Sequence, residues 1–77
     1  GLLRNVAVAL GNSGNLSAVD PLIVALCDHE PLIRAHVVWA LGELLGEKAL
    51  PIFKESLAGE SKEIVNNEIK LVQATYS

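Results

Sequence analysis

The sequence predicts an all-α fold, an α-α superhelix of about two and a half helical pairs. Apolar residues recur at spacings of i, i+4, i+7 and i+8, which place them on one stripe of a helix. The pattern repeats after 31 residues, the spacing between Gly11 and Gly42. Hydrophobic residues make up 51% of the 77-residue chain and aromatic residues only 4%, so aliphatic side chains must form the core. Each pair can bury its stripe only against a neighbouring pair.

Turn and capping residues divide the chain into five predicted helices. The predicted ranges are 2–11, 16–27, 31–45, 48–58 and 62–75. Gly11 and Gly46 are predicted to end the first and third helices, and Pro31 suits the first position of the third. Asn15 or Ser17 is the candidate N-cap of the second helix. The connections between these predicted ranges are short, so consecutive helices should lie side by side and antiparallel.

Length, charge and cysteine content limit the function. The length allows one domain, 1–77. Six Lys and Arg residues against nine Asp and Glu residues give a net charge of −3, whereas an autonomous nucleic-acid binder normally carries a dense basic face. No apolar run reaches the roughly 20 residues of a membrane span, so no membrane partner is expected. Cys27 is the single cysteine, which predicts no disulfide within the chain, no four-thiolate metal site or iron–sulfur cluster, and a cytoplasmic location.

The residues of the repeat follow a known motif. They are Ala18-Val19, Leu22, Ala25-Leu26, Asp28, Pro31, Ile33-Arg34 and Ala40-Leu41-Gly42. This order is similar to the short HEAT-like repeat first noted in phycobilisome lyases. The resemblance covers nearly the whole chain and implies the α-α superhelix, but these repeats serve many functions.

Two segments carry a narrower resemblance. Residues 4–12 read R-N-x-x-x-A-L-G-N, and residues 31–42 read P-L-x-R-x-H-x-x-W-A-L-G. Both resemble the C-terminal repeat region of epoxyqueuosine reductases, which are iron–sulfur and cobalamin oxidoreductases that finish the queuosine base in tRNA. The resemblance implies a non-catalytic module that helps to bind tRNA, with the upstream catalytic domain as a second partner. The clusters and the cobalamin would lie upstream, so no cofactor is expected in this chain.

The two ends of the chain predict a C-terminal fragment of a larger protein. The chain lacks Met and starts at Gly1, which predicts a cut within a repeat, just before Leu2. The last helix lacks the Arg and Ala-Leu-Gly residues of the repeat. It is therefore predicted to cap the stack where the parent protein ends.

Six residues form the candidate tRNA-facing patch: Arg4, Asn5, Asn12, Arg34, His36 and Trp39. The cations would contact phosphates, the amides and the imidazole would contact base edges or ribose, and the indole would stack on a base. Structural interpretations of the same residues stay open. Arg34 could pair with Asp28, and the indole could lie in the core. Asn5, His36 and Asn67 share one repeat position and could form a hydrogen-bonded ladder.

The alternative function is a generic protein–protein interaction scaffold, whose groove binds a peptide or a neighbouring domain. A tRNA-binding face should be locally positive, whereas a scaffold should expose an apolar groove of roughly a few hundred Å² or more. The acidic residues, Glu60 and Glu68 among them, are predicted to form a solvated face. A third, weaker interpretation is a metalloenzyme or chromophore-lyase fragment, but His29-Glu30 alone cannot supply a ligand set.

Overall fold

The computed structural model describes residues 4–76, in which five α-helices follow one another in two layers. The helices are α1 (Arg4–Ser13), α2 (Val19–Ala25), α3 (Pro31–Leu45), α4 (Ala49–Ser56) and α5 (Glu63–Tyr76). The 3₁₀ turns Leu16–Ala18 and Gly46–Lys48 lead into α2 and α4. Helices α1, α3 and α5 lie side by side, and α2 and α4 pack against this layer. The described residues contain no strand, so the predicted all-α class is confirmed.

Helix α3 lies at the centre of the stack, because it contacts each of the other four helices. It is apolar around most of its circumference, which is typical of a helix with neighbours on several sides. Its Val37, Val38 and Leu41 are fully buried, and Leu22 of α2 and Phe53 of α4 pack into the same core. At 15 residues it is also the longest described helix, and none of the described helices is long and apolar enough to cross a membrane.

The glycines of the two Ala-Leu-Gly segments allow neighbouring helices to approach closely. A Cβ atom at Gly11 would lie 2.7 Å from Trp39 Cζ3 and 2.9 Å from Ala40 Cα. A Cβ atom at Gly42 would lie 2.9 Å from Val72 Cγ2. The prediction that Gly11 ends the first helix is wrong, since α1 continues to Ser13. Gly11 lies where α1 contacts α3, and its lack of a side chain lets the two helices pack closely.

The remaining helix boundaries agree closely with the sequence. Gly46 ends α3 with a φ of 61°, a conformation that favours glycine, and Pro31 begins that helix. Asn15 caps the second helical segment, because its Oδ1 accepts a hydrogen bond of 3.0 Å from the backbone N–H of Ser17. The predicted start of the first helix at Leu2, and the cut before it, lie outside the described residues.

Candidate functional site

An apolar groove follows the face of the α1–α3–α5 layer, and none of its lining residues comes from α2 or α4. Its first part has a volume of about 290 Å³ and is lined by Val8 of α1, Leu32, Ala35, His36 and Trp39 of α3, and Ile64 and Glu68 of α5. The helical spacing of the α3 residues places them on one side of that helix. The side chains of three helices therefore converge here.

The groove continues past Trp39 and Glu68 toward the end of α5. This second part has a volume of about 250 Å³, and its further lining residues include Glu43, Leu71 and Tyr76. We call the two parts together the α1–α3–α5 groove. Large apolar side chains stay accessible along it, since Ile64 is 46% exposed and Leu71 is 60% exposed. Exposed apolar residues that adjoin one another in this way are typical of an interaction surface.

The charges of the groove are acidic. Glu43 and Glu68 line it, and none of its lining residues is a Lys or an Arg. His36 lies beside them, and its Nδ1 is 2.7 Å from the backbone oxygen of Leu32. A carbonyl oxygen can only accept a hydrogen bond, so this contact requires a proton on Nδ1. The groove thus combines an apolar floor with carboxylates.

A separate polar cluster surrounds Arg34, at the end of the stack where α3 begins. The Arg34 Nε atom donates to Glu60 Oε1 at 2.8 Å, and its second terminal nitrogen donates to Glu60 Oε2 at 2.9 Å. The remaining terminal nitrogen donates to the backbone oxygens of Asp28, at 2.8 Å, and His29, at 3.1 Å. Four of the five N–H donors of the guanidinium are therefore used within the chain.

This pair is charge-assisted and largely shielded from water. The Glu60 side chain is only 5% exposed and that of Arg34 14%. Hydrogen bonds from the Arg34 guanidinium lower the pKa of the Glu60 carboxyl below its ordinary value of 4.5, against the opposing effect of burial. The same hydrogen bonds raise the pKa of Arg34. The pair joins the first turn of α3 to the turn before α5, and the further bonds of Arg34 hold the turn before α3, so the cluster fixes one repeat against the next.

The structure separates the six candidate residues into three groups. His36 and Trp39 lie together in the groove, and Trp39 lines both of its parts. Arg34 belongs to the polar cluster, where its carboxylate partner is Glu60 and not the predicted Asp28. The third group comprises Arg4, Asn5 and Asn12, which are exposed on α1 and are not among the groove-lining residues.

The predicted ladder of polar side chains does not form as a hydrogen-bonded network. Within residues 4–76 no hydrogen bond joins Asn5, His36 and Asn67. His36 bonds instead to the backbone of its own helix, one turn earlier. The three side chains share a repeat position, but His36 is half-buried in the groove, whereas Asn5 and Asn67 are exposed.

Most residues of these two sites are absent from the six predicted candidates, among them Glu60, Ile64, Glu68 and Leu71. The prediction of a solvated acidic face is wrong for Glu60, which is nearly buried against Arg34. A signal for the groove was present in α5, which carries Ile64 and Leu71 seven residues apart, beside the buried stripe of Val65 and Val72. A second apolar stripe on a helix that already has one buried stripe indicates a second contact surface.

Side chains of metal-ligating types do not form a metal site in the part of the chain that the structure describes. Across residues 4–76 no group of three His, Cys, Asp or Glu side chains could hold one ion. Cys27 is an exposed free thiol and the only cysteine in the sequence. An iron–sulfur cluster takes four thiolates or a close equivalent, so the residues of this chain do not fit one.

Comparisons with known proteins agree with both resemblances drawn from the repeat. The HEAT repeats family matches residues 2–72. Epoxyqueuosine reductase of Staphylococcus aureus is 38% identical over 68 residues, which are 87% of this chain and 18% of that protein. Phycocyanobilin lyase subunit alpha of Picosynechococcus sp. is 44% identical over 59 residues, which are 75% of this chain and 22% of that protein. The chain thus spans about a fifth of each relative's length. No solved structure gives a significant match.

Proposed function

From the premise that this chain belongs to the HEAT repeat family, we propose that it is a non-catalytic interaction module whose α1–α3–α5 groove binds a protein segment. The observation that supports this function is the groove itself, whose first part is mainly apolar, open and lined by three helices. Among the described residues no cluster resembles a metal site, and the polar cluster around Arg34 is occupied by contacts within the chain. A larger cleft of about 690 Å³ lies between α4 and α5, but the large exposed apolar side chains Leu32, Ile64 and Leu71 line the groove, so we choose the groove as the candidate for ligand binding.

The energetics favour a partner that covers apolar surface. Leu32, Ile64 and Leu71 are each more than 40% exposed. Removal of apolar surface from water stabilises a complex by about 25 cal/mol per Å² before the costs of association are subtracted. The indole of Trp39 between them is the type of residue that dominates protein-binding energetics.

The test is a selection of groove-binding peptides. A displayed library of random peptides would be panned against the chain, and the selected peptides would be measured again with Ile64→Gln/Leu71→Gln. We expect peptides that lose at least about tenfold in affinity for this double variant. Leu16→Gln/Val24→Gln is the matched control, because both residues are exposed and lie outside the groove. Peptides that bind both double variants as well as the original chain would contradict the proposal.

A second function rests on the 38% identity to the Staphylococcus aureus epoxyqueuosine reductase. On this proposal the chain is the C-terminal module of a similar iron–sulfur oxidoreductase in the cytoplasm, and it helps to bind tRNA in queuosine biosynthesis. Catalysis, iron–sulfur clusters and cobalamin would belong to an upstream domain, which would be a second partner. The exposed side chains of Arg4, Asn5 and Asn12 on α1 remain available for such contacts. Arg34 contributes less, because its donors are engaged.

Labelled tRNA, titrated with the chain at low and high salt, tests this second function. Contacts to phosphates predict affinity that falls steeply with salt, and Arg4→Gln should reduce the slope by about one. Lys48→Gln serves as a control, since Lys48 is an exposed cation in the turn before α4. Absence of binding, even when the chain is joined to an upstream catalytic domain, would contradict a role in tRNA recognition.

A further inference from the structure

We propose that the segment bound by the α1–α3–α5 groove is a cationic amphipathic helix, with an apolar stripe against Trp39 and Lys or Arg residues beside Glu43 and Glu68. This inference rests on the proposed protein-binding function and adds the chemical class of the partner. The geometry of the groove, its hydrogen-bonding capacity and its charge each contribute to it.

The length of the groove suits a short helix. Its lining residues on α5 extend from Ile64 to Tyr76, a rise of about 18 Å at 1.5 Å per residue. That distance corresponds to about three turns of a partner helix. Apolar side chains on one stripe of such a helix would meet Leu32, Trp39 and Leu71, as in other helix-in-groove complexes.

Hydrogen bonding favours a helix over an extended peptide. An extended peptide needs partners for its backbone N–H and C=O groups, whereas a helix pairs most of them internally. The groove offers few free donors. His36 Nδ1 is engaged with the Leu32 oxygen, and Thr75 Oγ1 donates to the Leu71 oxygen at 2.8 Å. The indole N–H of Trp39 and the hydroxyl of Tyr76 are the donors that remain among its lining side chains. An extended peptide would therefore leave backbone groups unpaired, at a cost in affinity.

The charge of the groove specifies the polar face of the partner. Within residues 4–76 the pair of Arg34 and Glu60 is the only ion pair, so Glu43 and Glu68 have no cation in contact. The chain as a whole carries a net charge of −3. Cations on the partner would pair with the two carboxylates, whereas carboxylates on the partner would be repelled.

Three synthetic helical peptides of about 15 residues, long enough to cover the groove and to hold a helix, test the inference. They would share one leucine stripe and differ in a polar face of Lys, Gln or Glu. Trp39 is the only tryptophan in the sequence, so its fluorescence reports binding at the groove directly. We expect the Lys peptide to bind about tenfold more tightly than the Gln peptide, and the Glu peptide to bind most weakly.

Matched charge variants separate a specific site from general attraction to an acidic protein. Glu43→Gln/Glu68→Gln should abolish the preference for the Lys peptide. Glu47→Gln/Glu55→Gln removes the same charge from exposed positions outside the groove and should preserve the preference. An equal loss in both double variants would overturn the inference.

The outcomes distinguish this inference from the proposed function. If the three peptides bind equally and Leu71→Gln weakens all of them, the groove binds protein but the cationic preference is overturned. Failure of all three peptides to change Trp39 fluorescence would contradict both proposals. Displacement of the uncharged Gln peptide by tRNA, together with a change in Trp39 fluorescence caused by tRNA alone, would overturn the protein partner and support nucleic-acid binding.

Discussion

Helix α3 separates two regions of the molecule. Side chains in one region are packed or hydrogen-bonded within the chain, whereas side chains in the other keep apolar surface and charge open to water. On the side that we call the stack side, Arg34 uses four of its five donors within the chain, and Gly11 allows direct contact between α1 and α3. On the groove side, Leu32 and Trp39 keep part of their apolar surface in water, and Glu43 has no cation in contact among the described residues.

The difference shows that a helical repeat can use one side for stability and the other side for binding. Changes on the stack side should affect the free energy of unfolding, and changes on the groove side should affect binding alone. For a domain of this size that free energy is about 4–12 kcal/mol, so a single stack-side change can remove a large part of it.

The largest expected loss of stability comes from Arg34→Met, which leaves the nearly buried Glu60 carboxylate without its partner. The free energy of unfolding should fall by about 3 kcal/mol, measured by urea denaturation followed by circular dichroism. Lys54→Met, at an exposed position, should change it by less than about 0.5 kcal/mol. A double variant with Glu60→Met should lose less than the sum of the two single changes. A strictly additive result would show that the two side chains are not coupled.

Gly11→Ala tests the close approach of α1 and α3. The added Cβ would lie within 3 Å of both Trp39 and Ala40, so the helices must shift apart. We expect a loss of about 1–3 kcal/mol, although alanine is the better helix former. Gly59→Ala is the control, since a Cβ there meets nothing within 4 Å. Equal stability of the two variants would refute a packing function for Gly11.

Low pH should reduce the free energy of unfolding over a pH range that is set by the pKa of Glu60. The pKa of Glu60 is lowered in the folded chain, so its contribution to stability is complete above the ordinary value of 4.5 and is lost as the pH falls through the folded pKa. The difference in unfolding free energy between the original chain and Glu60→Gln should therefore be constant near neutral pH and shrink below about pH 4.5. Thermal melting across this range measures it. A difference that persists unchanged in acid would contradict the ionised pair.

The smallest change in stability is expected from the groove side. Leu71→Gln replaces a side chain that is already 60% exposed, so the free energy of unfolding should change by less than about 0.5 kcal/mol. The affinity for groove-binding peptides should fall in the same variant. Calorimetric titration alongside thermal melting would detect the two effects separately. A large loss of stability would show that the two sides of α3 are not independent.

The fold followed from the sequence because its signals are local and periodic. The 31-residue repeat, Pro31 and Gly46 set the helix order and most boundaries. Gly11 was assigned wrongly because a glycine near a helix end resembles a cap, and only the neighbouring helix shows that it is a contact. Its equivalence to Gly42, which lies within α3 and does not end that helix, is the clue in the sequence.

The candidate site was less predictable, because it depends on contacts between distant residues. Arg34 was expected to pair with Asp28, six residues away, but the turn before α5 brings Glu60 to the guanidinium. Trp39 and His36 were identified by their unusual residue types in the repeat. Ile64 and Leu71 were not, because apolar residues on a helix are usually interpreted as core.

The most direct test of the central claim is a pair of separate NMR titrations of the ¹⁵N-labelled chain, one with the Lys peptide and one with tRNA. Protein recognition by the groove predicts that the single indole N–H signal of Trp39 and the backbone amide signals of Leu32, Ile64 and Leu71 shift with the peptide. The signals of α2 and α4 should remain in place, and tRNA should leave the groove signals unchanged. Shifts caused by tRNA at Trp39 and along α1 from Arg4 to Asn12, with no response to the peptide, would contradict the claim.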